Sequence, residues 1–163
     1  MSGPMYHIYS IPTDAWTAGM YHSLLAMAVQ QASQFIIIVR TPLSQRGREM
    51  IKSLDNYLLI SQTTREWPGT RSSTEVLLKK YRLHAVSASL LARAETIWDW
   101  LNPEMLEDLS FLRADGTPWF VSITHERDAY FKLSESERSF VAKAIEPIPL
   151  NRDSSDAVPE ERY

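Results

Sequence analysis

Residues 117–128, TPWFVSITHERD, contain the side chains best suited to chemistry. An apolar run ends abruptly in His125, Glu126, Arg127 and Asp128. An imidazole titrates near neutral pH, carboxylates take up protons and a guanidinium binds anions, so these residue types can form an acid–base site. If the strand stays extended, His125 and Arg127 share one face while Glu126 and Asp128 share the other. The same charges equally suit a turn that returns a buried strand to water.

An anion site is a second candidate, at the points where predicted strands run into helices. Residues 10–14 and 40–44 both lead into helix N-termini, where free amides and the helix dipole favour negative charge. Arg40, Ser44 and Arg127 are the candidate anion-binding residues, and His125 and Asp14 are the candidate acid or base. Ordinary helix capping requires the same residue types as residues 10–14 and 40–44 provide, so capping stays open as the alternative.

Other catalytic and cofactor signatures are missing from the sequence. The four histidines, at positions 7, 22, 84 and 125, have no HExxH spacing, and there is no cysteine for zinc, disulfides or thiol chemistry. GxSxG, GxGxxG and GxxxxGK[ST] are also absent. We therefore predict neither a metal site nor a cofactor.

The first 62 residues alternate between strand-like and helical patterns. Residues 5–11 and 35–40 predict strands, and FIIIVR resembles a strand buried on both faces, as in a parallel sheet. Apolar spacing predicts a helix through about residue 32 and a second helix capped by Ser44, followed by a strand at 58–62. Right-handed crossovers would make this a parallel β-α-β-α-β unit.

The remaining sequence predicts antiparallel elements. Residues 63–74 contain Pro68-Gly69 and predict an exposed loop. Residues 74–83 fit a strand or a helix start, of which we favour the strand, and residues 87–103 predict a helix. Residues 109–123 read as a hairpin around Asp115-Gly116, residues 128–133 as a further strand, and Ser134 with Glu137 as the capping box of a last helix. We predict an α/β domain of two or three layers with a mixed sheet over residues 1–148, and a flexible tail over 149–163.

Tryptophans and charges suggest protein binding. Trp67 in the predicted loop and Trp100, which the helical spacing places nearer the rim than Trp98, are candidate partner anchors, as are Glu126 and Asp128. The alternative for Trp67 is a loop tryptophan that folds back onto the domain. Residues 1–100 carry 10 Lys/Arg against 7 Asp/Glu, whereas residues 101–163 carry 7 against 13. This split argues against general nucleic-acid binding and permits an acidic face for a basic protein partner, while the alternative is that both halves simply carry solvated charges.

Three functions are compatible with these patterns. The first is a small intracellular protein-binding module; in its size, acidity and lack of cysteine the chain resembles immunity proteins that neutralise toxins, although it carries no motif of such a family. The second is an enzyme acting on an anionic small molecule, and the third is a structural subunit of a larger assembly. No signal peptide or membrane-length apolar run occurs, so we expect a cytoplasmic location.

Overall fold

A single antiparallel sheet dominates the computed structural model, which describes residues 3–153 and 162–163. Four α-helices pack on one face of the sheet, because the main core cluster takes buried residues from all four. The strand order is β3-β4-β2-β5-β6-β7-β1-β8. The elements are β1 His7–Ser10, α1 Ala18–Gln31, β2 Gln34–Val39, α2 Gln45–Leu54, β3 Leu58–Trp67, β4 Thr70–Arg82, α3 Ala85–Leu91, β5 Glu107–Leu112, β6 Pro118–Ile123, β7 Asp128–Leu133, α4 Glu135–Ala144 and β8 Asn151–Arg152.

The predicted parallel β-α-β-α-β unit is wrong, because every strand pairing in the sheet is antiparallel. The isoleucine run of β2, which pointed to a parallel strand, is indeed buried on both faces. Phe35 and Ile37 point into the core beneath the helices, whereas Ile36 and Ile38 belong to a second, smaller cluster on the opposite face. A strand covered by helices on one side and by a hairpin on the other has the same apolar pattern as a parallel strand.

The hairpin that covers this second face replaces the predicted loop at 63–74. β3 and β4 are joined at Pro68-Gly69, and Gly69 has φ +79, the value required at the third position of a type II turn. The segment resembles a loop in sequence because most of its side chains are polar and exposed. Threonine has a high strand propensity, but apolar–polar alternation is missing where neither face of a strand is buried.

The predicted helix at 87–103 is also wrong beyond α3. Thr96 and Asp99 form a capping box that starts a separate 3-10 turn at Ile97–Asp99. The chain therefore changes direction, and the two neighbouring tryptophans take the reverse of the predicted positions. Trp98 is half-buried, whereas Trp100 is fully buried and donates from Nε1 to the Tyr21 hydroxyl at 3.0 Å.

Local start and turn signals are confirmed elsewhere. Ser44 caps α2 by accepting from the Gly47 amide, and Ser134 and Glu137 form the capping box of α4. Gly116, with φ +85, lies in the turn of the predicted β5–β6 hairpin. No helix within the described residues has the length and apolar character needed to cross a membrane.

The end of the chain also contacts the sheet. β8 pairs with β1, and the Asp153 amide donates to the carbonyl of Ile8 at 2.8 Å. Tyr163 packs against the second cluster and its backbone oxygen accepts from Lys80 Nζ at 2.6 Å. Residues 154–161, which make up most of the predicted flexible tail, lie outside the described residues.

We predict that Gly69→Ala destabilises the protein by about 1–3 kcal/mol, because a Cβ there would be strained at positive φ. It would also lie 2.7 Å from Ile123 Cδ1 and 3.1 Å from the Tyr130 hydroxyl. Gly19→Ala is the control, since its Cβ would meet nothing closer than 3.8 Å and helix propensity favours alanine by up to about 1 kcal/mol. Urea unfolding measures both, and equal stabilities would contradict the strained turn.

Candidate functional site

Three candidate segments follow strands that run in the same direction. The alternation of directions along the sheet puts the carboxyl ends of β1, β2 and β6 at one end, where they lead to Asp14, Arg40 and His125. However, β5, β6 and β7 lie between β1 and β2, a separation of four strand spacings or about 19 Å along the sheet. Residues 10–14 and 40–44, at which the sequence predicts an anion site, therefore do not come together in one site.

The HERD segment, residues 125–128, begins in a tight turn and does not continue the strand β6. Thr124–Glu126 is a 3-10 turn, and Arg127 follows in the left-handed conformation with φ 55. As a result, His125 and Glu126 do not diverge: His125 Nε2 lies 3.7 Å from Glu126 Oε1, and both side chains are about half exposed or more. The guanidinium of Arg127 lies over the Trp98 ring, 5.4 Å from its centroid.

Arg40 is brought to the start of β5 by the pairing of β2 with β5. Its Nε donates to Glu107 Oε2 at 2.8 Å, and its guanidinium carbon lies 5.5 Å from the centroid of the Trp67 ring. The Glu107 side chain is nearly buried, whereas that of Arg40 is about one-third exposed. The predicted anion-binding arginine is thus already paired with a carboxylate.

Asp108 is the centre of the most buried polar network at this end. It lies at a bulge of β5 with φ 56 and is 1% exposed. Its Oδ1 accepts from the amide and hydroxyl of Thr124 at 2.9 and 3.0 Å, and its Oδ2 accepts from Trp67 Nε1 at 2.9 Å. These bonds connect the hairpin tip, the bulge and the HERD turn.

Glu107, Asp108 and His125 offer potential ligand atoms within 4.8 Å of one another. A divalent cation would suit carboxylate and imidazole ligands, but the two carboxylates already have partners. A cation would have to displace Arg40 from Glu107 and compete with the donors on Asp108. The cluster therefore fits a structural network better than a metal centre.

The other predicted site residues either lie away from this network or form hydrogen bonds with backbone groups. Ser44 accepts from the Gly47 amide and donates to the Glu104 carbonyl at 2.8 Å, which is the capping alternative. Asp14 is exposed in the 3-10 turn Thr13–Ala15. The structure brings His125 close to Glu107, the partner of Arg40, but Asp14 follows the distant strand β1.

The predicted partner anchors divide into buried and exposed residues. Trp67 and Trp100 are both fully buried, so the expectation that they anchor a partner at the surface is wrong. Their indole N–H groups find acceptors inside the protein, which is the usual condition for burying tryptophan. Glu126 and Asp128 are exposed as expected.

Asp128 lies in an acidic environment. Partial burial, then the neighbouring carboxylates of Glu126 and Asp153, hold the pKa of Asp128 above its usual value, against a hydrogen bond from the Ala129 amide that lowers it. Glu126 and Asp153 therefore lie close enough to Asp128 to disfavour its ionised form.

Sequence reasoning missed the outer edge of β3. β3 is ten residues long and lies at the end of the strand order, so no described strand pairs with its outer edge. Residues 58–64 carry no charge, and Leu59 and Ile60 are 48% and 41% exposed. Edge strands normally carry lysine, proline or other features that prevent pairing with another chain. The strand-forming residues at the start of β3 did predict a strand, but the loop predicted at 63–74 ended that strand at residue 62.

Two open clefts flank the β3–β4 hairpin. The larger, of about 510 Å³, lies where the hairpin leaves β2 and is lined by Val39, Arg40, Thr41, Thr63, Glu75, Val76, Leu77 and Asn102. The smaller, of about 300 Å³, lies under the hairpin tip beside β7. Of the candidate acid–base residues, neither His125 nor Asp14 lines either cleft.

Comparison of the chain with protein-family models, with curated proteins and with solved structures finds no match.

We predict that Trp67→Phe lowers the free energy of unfolding by about 1–3 kcal/mol, because it leaves a buried oxygen of Asp108 without its donor. Trp98→Phe is the matched control at a half-buried position and should cost less than about 1 kcal/mol. Guanidinium unfolding measures both variants. A Trp67→Phe protein as stable as the control would show that this hydrogen bond does not hold the hairpin.

Opposite pH effects are expected for two carboxyls. The pKa of Asp128 is raised, so its ionised form destabilises the fold, and Asp128→Asn should increase stability at pH 7. The pKa of Asp115 is lowered by hydrogen bonds from the Thr117 hydroxyl and amide, so Asp115→Asn should decrease stability there.

Both effects should be small, because the two carboxyls are largely solvated, and both should fade as the pH falls and the carboxyls of folded and unfolded chains become protonated. Thermal unfolding from pH 2.5 to pH 7 measures them. Stability changes of the same sign in the two variants at pH 7 would contradict the opposite pKa shifts of Asp128 and Asp115.

Proposed function

We propose that the protein is a small protein-binding module that receives an extended segment of its partner along β3. The observation that carries this proposal is the ten-residue outer edge of β3, which is uncharged over residues 58–64 and has no partner strand among the described residues. The exposed backbone N–H and C=O groups of an edge strand are a template for strand addition.

The two edges of the sheet support this assignment by their difference. The opposite edge is formed by β8, which has only two residues and offers little backbone for pairing. β3 also has exposed apolar side chains, Leu59 and Ile60, that a partner strand would cover. Backbone pairing would supply affinity, and side-chain contacts at alternate positions would supply selectivity.

A second contact with a basic partner is supported by the acidic group of Glu126, Asp128 and Asp153, in which burial and then the charges of Glu126 and Asp153 raise the pKa of Asp128. An immunity- or inhibitor-like role would be one form of such a module, by analogy of composition. The enzyme alternative has less support, because Arg40 is paired with Glu107 and the buried carboxylate of Asp108 already accepts hydrogen bonds from Thr124 and Trp67.

Lysine placed on the edge should abolish partner binding. We expect Ile60→Lys to reduce partner recovery at least about tenfold when the tagged protein is purified from its native host, since a charge on an edge strand opposes pairing. Met5→Lys is the matched control: Met5 is 66% exposed and precedes β1, on the other side of the sheet.

Glu126→Lys with Asp128→Lys tests the acidic contact in the same experiment. A partner that Ile60→Lys retains would overturn strand addition at β3, and loss only with the double charge reversal would move the interface to the acidic group. In the complex, slowed amide exchange over residues 58–67 would support β3 directly.

A further inference from the structure

The charges around β3 indicate what kind of segment fits there; this inference rests on the proposed function. We infer that the partner segment is an extended strand that carries carboxylates at alternate positions, with small or apolar residues between them. Residues 58–82, the β3–β4 hairpin, carry five Lys/Arg and two Glu, so the open edge belongs to a basic part of a chain that is acidic as a whole.

Lys79 is the cation best placed to contact a carboxylate on the added strand. It lies on β4 opposite Ser61 of β3 and is half-buried, and it forms no salt bridge among residues 3–153 and 162–163. An added strand would lie two strand spacings from β4, about 9.5 Å away. Because Ser61 is small, the flexible four-carbon stem of Lys79 can extend across it towards a carboxylate on that strand.

Arg65 provides the second positive charge, further along the same edge. It is exposed at a bulge in the β3–β4 pairing and forms no salt bridge among the described residues. The nearby Arg71 is different, because it pairs with Glu66 at 2.9 Å, and Lys80 is different because it donates to the backbone oxygen of Tyr163. Arg82 lies beyond the last β3–β4 pair and opposite Gln34 of β2, so Lys79 and Arg65 are the cations left near the open edge to attract an acidic segment.

The same charges argue against a second copy of this chain as the occupant. Pairing β3 with β3 of another copy would place two basic hairpins side by side, with Lys79 and Arg65 of each facing the same seam. Like charges at close range in a sheet destabilise the pairing. A partner with carboxylates gains from the cations that a second copy would repel.

Peptides with blocked ends test the inference on the full chain. Three eight-residue peptides alternate valine with glutamate, lysine or serine, and binding is measured by titration at low and high salt. We expect the glutamate peptide to bind at least about tenfold more tightly than the lysine peptide at low salt, with a smaller difference at high salt. Lys79→Gln should reduce this preference several-fold.

Lys143→Gln is the control, since Lys143 is an exposed cation on α4, which packs against α1 and β7. Equal binding of the three peptides, stronger binding of the lysine peptide, or binding of none would overturn the carboxylate inference. These results would leave the proposed function intact as long as Ile60→Lys still removes the partner captured from the host. Concentration-dependent dimers lost in Ile60→Lys would instead identify a second copy as the occupant and overturn both.

Discussion

The hydrogen bond from Trp67 to Asp108 is the constraint on which the rest of this structure depends. It buries an indole between β2 and the β3–β4 hairpin and thereby closes the face of the sheet that the helices leave uncovered. Without this cover, Ile36 and Ile38 would be exposed to water in the middle of the sheet. The same interaction fixes the hairpin across the sheet, and this position leaves the outer side of β3 without a partner among the described strands.

The sequence predicted elements better than their arrangement. Capping residues, the Asp115-Gly116 turn and the helical spacing of α1 and α4 act over a few residues, so they could be read locally. Strand direction and order depend on contacts between distant segments, and the isoleucines of β2 look the same whether helices or a hairpin cover their second face. The prediction that Trp67 and Trp100 lie at the surface failed for a related reason. Their buried N–H groups donate to Asp108 and Tyr21, which are distant in the sequence, and no local pattern identifies these acceptors.

The candidate site was predictable only in part. His125 and Arg40 were selected by residue type, and the structure links them through Glu107, yet nothing in the sequence distinguished Glu107 and Asp108 from ordinary residues at a strand start. Asp108 lies at a bulge with positive φ. Aspartate tolerates this conformation better than most residues, but its presence in a sequence does not predict it. The β3 edge was missed because an exposed polar strand and a polar loop have similar composition.

The buried polar groups next to the HERD turn, Thr124 and Asp108, hold elements of the fold together. Thr124, the residue before the turn's histidine, supplies two of the hydrogen bonds that hold the Asp108 carboxylate, so the turn contributes to the same network as Trp67. A catalytic carboxylate must be able to exchange protons with a substrate, whereas this one is buried and its oxygens are occupied by donors of the protein. Trp67, Asp108 and Thr124 therefore stabilise the position of the hairpin, and the backbone that is open to pairing lies at the outer edge of β3.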